Sequence, residues 1–326
     1  MNGYFTIVLL SLVLFFVVWG LGWILESLSH SLLSTTRNPG SRSWYLLVGP
    51  GVALHESSHA LGCVFTRTKI VEFKPINVTR QDDKVVLGYV RYVNPESTLK
   101  RAVINLAPVG VSLVLLILFA LGATYLVPGS PGIGGEALTL LGDLINMKTV
   151  PAQLADPWYP VVQIGSFVYL FFATFAALTV ISPIFWIVAF LAMTIMFSNA
   201  PSDVDIKNAM GGLKFIILFD LIWSVAAYFQ PQIGFLLPGL FELLSVMFAL
   251  ALAFAAVAYG FFILVAAMGR IRTPFQVLPI LACLLTGALL WYFAIGEAAV
   301  QTIVSLAVLV GMTIPMLWTK RFRAVA

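Results

Sequence analysis

The stretch GPGVALHESSHALGCVF, Gly49 to Phe65, is apolar at both ends and holds His55, Glu56, Ser57, Ser58 and His59 at its centre. An ionisable side chain inside a membrane span costs a few kcal/mol and is rare there unless it has a task. The rest of the chain makes the membrane the relevant setting. Of 326 residues, 60% are hydrophobic and 10% charged, against about 25% charged in soluble domains. With a mean hydropathy of +1.00, such a chain cannot screen its surface from water and must sit in lipid. Its 25 Phe and 8 Trp suit lipid-facing and interfacial positions. The net charge of +4 comes from basic residues in loops and at the C-terminus. They read as topology signals and not as a nucleic-acid surface. Cys63 and Cys283 lie in apolar segments and read as packing residues. The N-terminal apolar run is long, without a basic leader or a small-residue cleavage site, and reads as a retained transmembrane helix.

A crossing helix needs about 20 mostly apolar residues. Candidate spans are Tyr4–Leu28, Trp44–Phe65, Ala102–Val127, Pro160–Ile181, Pro183–Phe197, Leu213–Phe229, Leu240–Met268, Phe275–Ile295 and Ala298–Trp318. The expected fold is an all-α polytopic membrane protein with about eight or nine transmembrane helices, and Ser182-Pro183 leaves one crossing open. Thr66–Arg101 is the substantial polar segment and carries eight Lys/Arg. The loop with Arg270 and Arg272, the tail with Lys320, Arg321 and Arg323, and the loop near Lys207 and Lys214 fall on one side by the positive-inside rule. The long loop joins that cytoplasmic side if one candidate does not cross. Within it, the β-branched runs KIVEFKPINV and KVVLGYVRYV flank TRQDD, which predicts a small β-hairpin between the second and third spans.

On a helix, positions i and i+4 share a face, so His55 and His59 project together as two ligands of one Zn2+ ion. Glu56 lies about 100° around the helix, in reach of a water at that metal without being a ligand. Zinc acidifies such a water, and the carboxylate takes its proton. His30, in ESLSHSLLS, reads as an interfacial residue.

Catalytic zinc ordinarily takes three protein ligands. Candidates for the third are Glu26, Asp203, Asp205, Asp220 and Glu242. The most informative context is FSNAPSDVDIKNAMGG. There an apolar segment ends, and Ser202 followed three residues later by Asp205 has the spacing of a helix capping box. Helix capping alone would also account for both aspartates.

Three segments together resemble the site-2 protease family of intramembrane zinc metalloproteases. They are HESSHALG at His55–Gly62, the polar Lys69–Val93 run followed by INLAPVGVSL at Ile104–Leu113, and SNAPSDVD at Ser198–Asp205. The resemblance covers roughly Trp44–Gly212. It implies a zinc-bearing core at 44–212 with the polar insert 66–101, preceded by an N-terminal helix and loop at 1–43 and followed by C-terminal spans at 213–326. It implies further that His55, His59 and Asp205 hold one zinc ion, that Glu56 is the general base, and that Asn199 or Asn105 bonds an extended substrate or the oxyanion. The family's aspartate is usually followed by Gly, whereas Asp205 precedes Ile206, so Asp203 stays an alternative ligand. The implied activity is hydrolysis of peptide bonds in or near the transmembrane segments of membrane-protein substrates, without nucleic acid, in a prokaryotic cell membrane. Oligomeric state is not legible. A metal transporter and an inactive protease-like scaffold are the competing classes; a di-iron desaturase would need many more histidines than three.

Overall fold

The structure, a computed structural model, describes residues 1–34, 42–77, 79–81, 84–86, 88–124, 132–181, 185–199 and 202–319. Eleven α-helices follow one another among these residues: α1 Gly3–Ser34, α2 Arg42–Phe65, α3 Thr98–Thr124, α4 Gly132–Asn146, α5 Pro151–Ala155, α6 Tyr159–Ile181, α7 Phe185–Ser198, α8 Asp203–Phe229, α9 Leu240–Arg270, α10 Leu278–Tyr292 and α11 Ala298–Trp318. The chain is an all-α polytopic membrane protein. Seven described helices are long and apolar enough to cross a bilayer: those in α1, α3, α6, α8, α9, α10 with its preceding turn, and α11. The expected eight or nine also counted α2 and α7. Helix α7 has 14 residues, roughly 21 Å at 1.5 Å per residue, against a hydrocarbon core of about 30 Å. Helix α2 contains the His55–His59 cluster.

Helix α9 is the centre of the bundle. In its spanning part 67% of the residues are buried inside the protein, against 6% for α10, so α9 is packed by protein on most sides and α10 faces outward. A helix apolar all round is suited to such a central place. Helix α1 runs parallel to it. Phe241 meets Tyr4 edge-on at 6.5 Å between ring centroids, Ser245 Oγ donates to the Ile7 carbonyl at 3.3 Å, and the Tyr259 hydroxyl donates to the Leu21 carbonyl.

Two glycines bring α3 against the helices on either side of it. A Cβ on Gly62 of α2 would stand 2.9 Å from Ile104 Cα, and one on Gly212 of α8 would stand 2.2 Å from Ala102 Cβ. Any larger residue would push the helices apart, and small residues are what permits such approach in membranes.

The polar insert forms the expected antiparallel excursion in two short ladders. Strand β1 (Ile70–Lys74) pairs with β4 (Tyr89–Tyr92), with Glu72 opposite Arg91, Phe73 opposite Val90 and an irregularity after Ile70. Strand β2 (Thr79–Gln81) pairs with β3 (Lys84–Val86). On one face of the first ladder Glu72 binds Lys74 at 2.8 Å and lies 3.5 Å from Arg91. It also accepts from the Tyr89 hydroxyl at 2.9 Å. Lys74 and Tyr89 hold the Glu72 carboxyl below its ordinary value of 4.5. A depressed carboxylate contributes stability fully above its unfolded-state pKa, and the contribution is lost as pH falls through the folded one. Protection of the β1 amides from exchange, relative to the unfolded chain, should therefore be level above about pH 4.5 and decline on acidification. Protection that stays level down to about pH 2 would mean the Glu72 network contributes nothing.

Candidate metal centre

His55 and His59 project from one face of α2, as their spacing requires. Helix α8 begins beside them. Its N-cap is Ser202, and Asp205 sits at the third helical position in a complete capping box. Asp205 Oδ2 accepts from the Ser202 backbone N–H at 2.9 Å and from its hydroxyl at 2.7 Å, and Ser202 Oγ accepts from the Asp205 N–H at 3.2 Å. The same carboxylate faces the histidines. Oδ1 lies 3.1 Å from His59 Nε2, and Oδ2 lies 3.3 Å from His55 Nε2. Capping and metal ligation, which the sequence presents as rival explanations of Asp205, are compatible in one side chain.

The tautomers follow from the other ring nitrogens. His55 Nδ1 is 2.8 Å from the Ser198 carbonyl, and His59 Nδ1 is 2.8 Å from the Ile104 carbonyl. A carbonyl only accepts, so each Nδ1 carries the proton and donates it. In the neutral rings the two Nε2 lone pairs then point at one another across 3.0 Å, with a carboxylate beside them. Two acceptors and an anion at such distances call for a positive charge among them. Protonating one imidazole supplies it, and so does a cation. A tetrahedral zinc with bonds of ~2.0–2.1 Å sets its ligand atoms roughly 3.3 Å apart; the two Nε2 atoms are 3.0 Å apart, and each has one of the two Asp205 oxygens at 3.1 or 3.3 Å. Imidazole Nδ1–H bonded to a carbonyl is also the usual outer support of a metal-ligating His. The three residues therefore fit a zinc ion and could hold one.

Glu56 sits beside this centre and under the hairpin. A Cβ on Gly88, just before β4, would lie 3.2 Å from Glu56 Cγ and 2.5 Å from the Pro75 carbonyl oxygen, so the hairpin passes closely over Glu56. The backbone of Val90 in β4 faces the Glu56 carboxylate.

The other candidates are placed elsewhere. Asp220 is half-buried in α8, fifteen positions and roughly 22 Å along the helix from Asp205. Glu242 is fully buried in a contact of 2.7 Å with Lys148 Nζ. The side chains of Glu26, His30 and Asp203 lie outside the described residues, as do Lys320, Arg321 and Arg323. Asn105 is committed within the protein: its amide donates to the Arg101 carbonyl at 2.6 Å, and its Oδ1 accepts from the Tyr92 hydroxyl at 3.2 Å. Asn199 is buried beside Ser198, and its Oδ1 has no hydrogen-bond partner among the described residues. Ser58 Oγ donates to the Leu54 carbonyl of its own helix at 2.7 Å. Cys63 and Cys283 are both free thiols.

Sequence reading missed the two carbonyls that hold the imidazoles, together with Tyr92, Val90 and Gly62. Backbone groups carry no residue-type signal, and only the packing identifies them. No family model, characterised protein or solved structure matches the chain.

Proposed function

We propose that this chain is an intramembrane zinc endopeptidase of the site-2 protease type, cutting membrane-protein substrates in or near their transmembrane segments in regulated intramembrane proteolysis. The observation that carries the reading is the meeting of His55 Nε2, His59 Nε2 and an Asp205 carboxylate within 3.3 Å of one another, both rings being held through Nδ1. His55, His59 and Asp205 would hold the ion. When bound, zinc supplies a Lewis acid that polarises a carbonyl and acidifies water.

The chain's own groups do the rest. A Glu56 carboxylate oxygen takes a proton from water as the water oxygen bonds to the substrate carbonyl carbon. It then delivers that proton to the departing amide nitrogen as the C–N bond breaks. A helical substrate must unwind first, and bare backbone groups are costly in lipid. Among the described residues β4 pairs only with β1, so an extended substrate could add along its other edge. The buried Asn199 Oδ1 offers a further acceptor for substrate or for the groups that flank it.

Eight crossings, with α7 not spanning and Thr66–Arg101 facing the cytoplasm of a prokaryotic cell, complete the proposal. Its direct test is zinc content of the purified protein. One ion per chain is expected for the wild type, and His59→Ala or Asp205→Ala should lower affinity by orders of magnitude. Asp203→Ala should not. A wild-type protein that takes up no zinc would end this reading.

A further inference from the structure

The carbonyl that orients His59 lies in mid-helix, where carbonyls are ordinarily taken. In an α-helix the oxygen of residue i accepts from the N–H of residue i+4. The partner of the Ile104 carbonyl would be residue 108, and residue 108 is proline, inside α3. Proline has no N–H, and its ring presses on the carbonyl four residues back and tips the helix there. The Ile104 oxygen is thus left without its helical donor at a residue that is 0% exposed. An unbonded carbonyl in such a place is costly. His59 Nδ1 meets it at 2.8 Å. Gly62, one turn beyond His59, leaves the approach open, since its Cβ would stand 3.4 Å from that oxygen. The Ser198 carbonyl that holds His55 is available for a different reason, since it closes α7, and the last carbonyls of any helix lack intrahelical donors.

We infer that Pro108 is a positioning residue for the metal centre: by removing one N–H from α3 it releases the Ile104 carbonyl to hold His59 through Nδ1 with Nε2 turned to the ligand position. The inference rests on the zinc reading given above and concerns the support of one ligand. It has an unusual signature, because the effects of substitution on helix stability and on metal affinity run in opposite directions. In Pro108→Ala the restored N–H competes with His59 for the Ile104 oxygen. Alanine is the better helix former, so the metal-free protein is expected to be as stable as wild type or more so.

The test uses the full chain purified in detergent. Zinc affinity is measured by chelator competition, the thermal midpoint is measured without metal, and the visible absorption bands are recorded with Co2+ in place of zinc. Pro108→Ala is expected to bind zinc about 10- to 100-fold more weakly, the range seen when an outer support of a ligand is removed. Its Co2+ bands should shift, and its metal-free midpoint should be unchanged or raised. Placing the 2-hydroxy analogue of alanine at 108 by nonsense suppression gives an ester with no N–H, and should return affinity toward wild type. Unaltered zinc affinity and Co2+ bands in Pro108→Ala would overturn the inference. So would a joint loss of affinity and metal-free stability, which would assign Pro108 to packing, and so would an ester that fails to rescue. A wild-type chain that binds neither metal would instead overturn the zinc reading beneath it.

Discussion

Glu56→Gln is expected to abolish peptide hydrolysis while leaving zinc bound. The substitution keeps size and shape and removes the ability to take a proton. Glu56 lies about 100° around α2 from the ligand face and is absent from the group of three that could hold the ion, so occupancy should not change. Glutamine keeps the Cγ that faces Gly88 beneath the hairpin, so β4 has no reason to move. General acid–base catalysis by a positioned side chain contributes typically 10²–10⁴-fold, and in the proposed mechanism one carboxylate both takes and returns the proton. A fall of at least about 10³-fold in cleavage of a reconstituted transmembrane reporter is therefore expected, with one zinc still present per chain. Retained cleavage would remove Glu56 from the base's role. The same variant separates the competing classes. A transporter would keep most of its metal flux, and an inactive scaffold would show no change in any assay.

The second large effect is on stability and lies at the opposite end of α8. Lys148, just after α4, has 6% of its surface exposed, and Glu242, in the first turn of α9, has none. Their Nζ and Oε1 are 2.7 Å apart. Lys148 Nζ also donates to the Gly234 carbonyl at 3.3 Å and stands over the rings of Tyr4 and Phe235 at 5.6 and 5.9 Å. Tyr4 in turn accepts from Trp223 Nε1 at 2.9 Å. One ion pair thus joins the start of α1, the end of α4, the end of α8 and the start of α9. Glu242 Oε2 is buried without a hydrogen-bond partner among the described residues, so the carboxylate depends heavily on its lysine. Removing one member of a buried pair leaves an uncompensated charge and costs about 3–5 kcal/mol, whereas replacing both by apolar residues of similar volume is often neutral or stabilising. Lys148→Met should accordingly destabilise the protein by about that amount. Lys148→Met with Glu242→Leu should recover most of it. Unfolding in mixed micelles measures both. A double variant no more stable than Lys148→Met would show that the pair acts through packing and not through charge.

How much the sequence discloses depends on whether the informative partner is near in the chain. The His55–His59 pair is read from residue type and an i, i+4 spacing, and the Ser202–Asp205 capping box from an i, i+3 spacing. Both are local, and the structure brings the two together. The antiparallel insert was also legible, because alternating β-branched residues flank a short polar turn. The helix count was not. Helix α7 is as apolar as any span but has too few residues, a boundary that hydropathy alone does not draw. Glu242 read as a candidate third ligand, and its partner Lys148 is remote in sequence. Pro108 was visible in LAPVG, but its consequence depends on which carbonyl faces His59, and that is set by Gly62 and Gly212 drawing three helices together.

Asp205 stands at the head of α8, far along the chain from His55 and His59. A ribosome that has delivered α1 to α7 to the membrane has released a pair of imidazoles and no carboxylate to join them. The proposed ligand set would be completed only when α8 enters, so a half-made molecule could not act on the neighbours with which it is being inserted. On the proposed function, activity would arrive with the later part of translation, and the order of the segments would act as a safeguard during biogenesis.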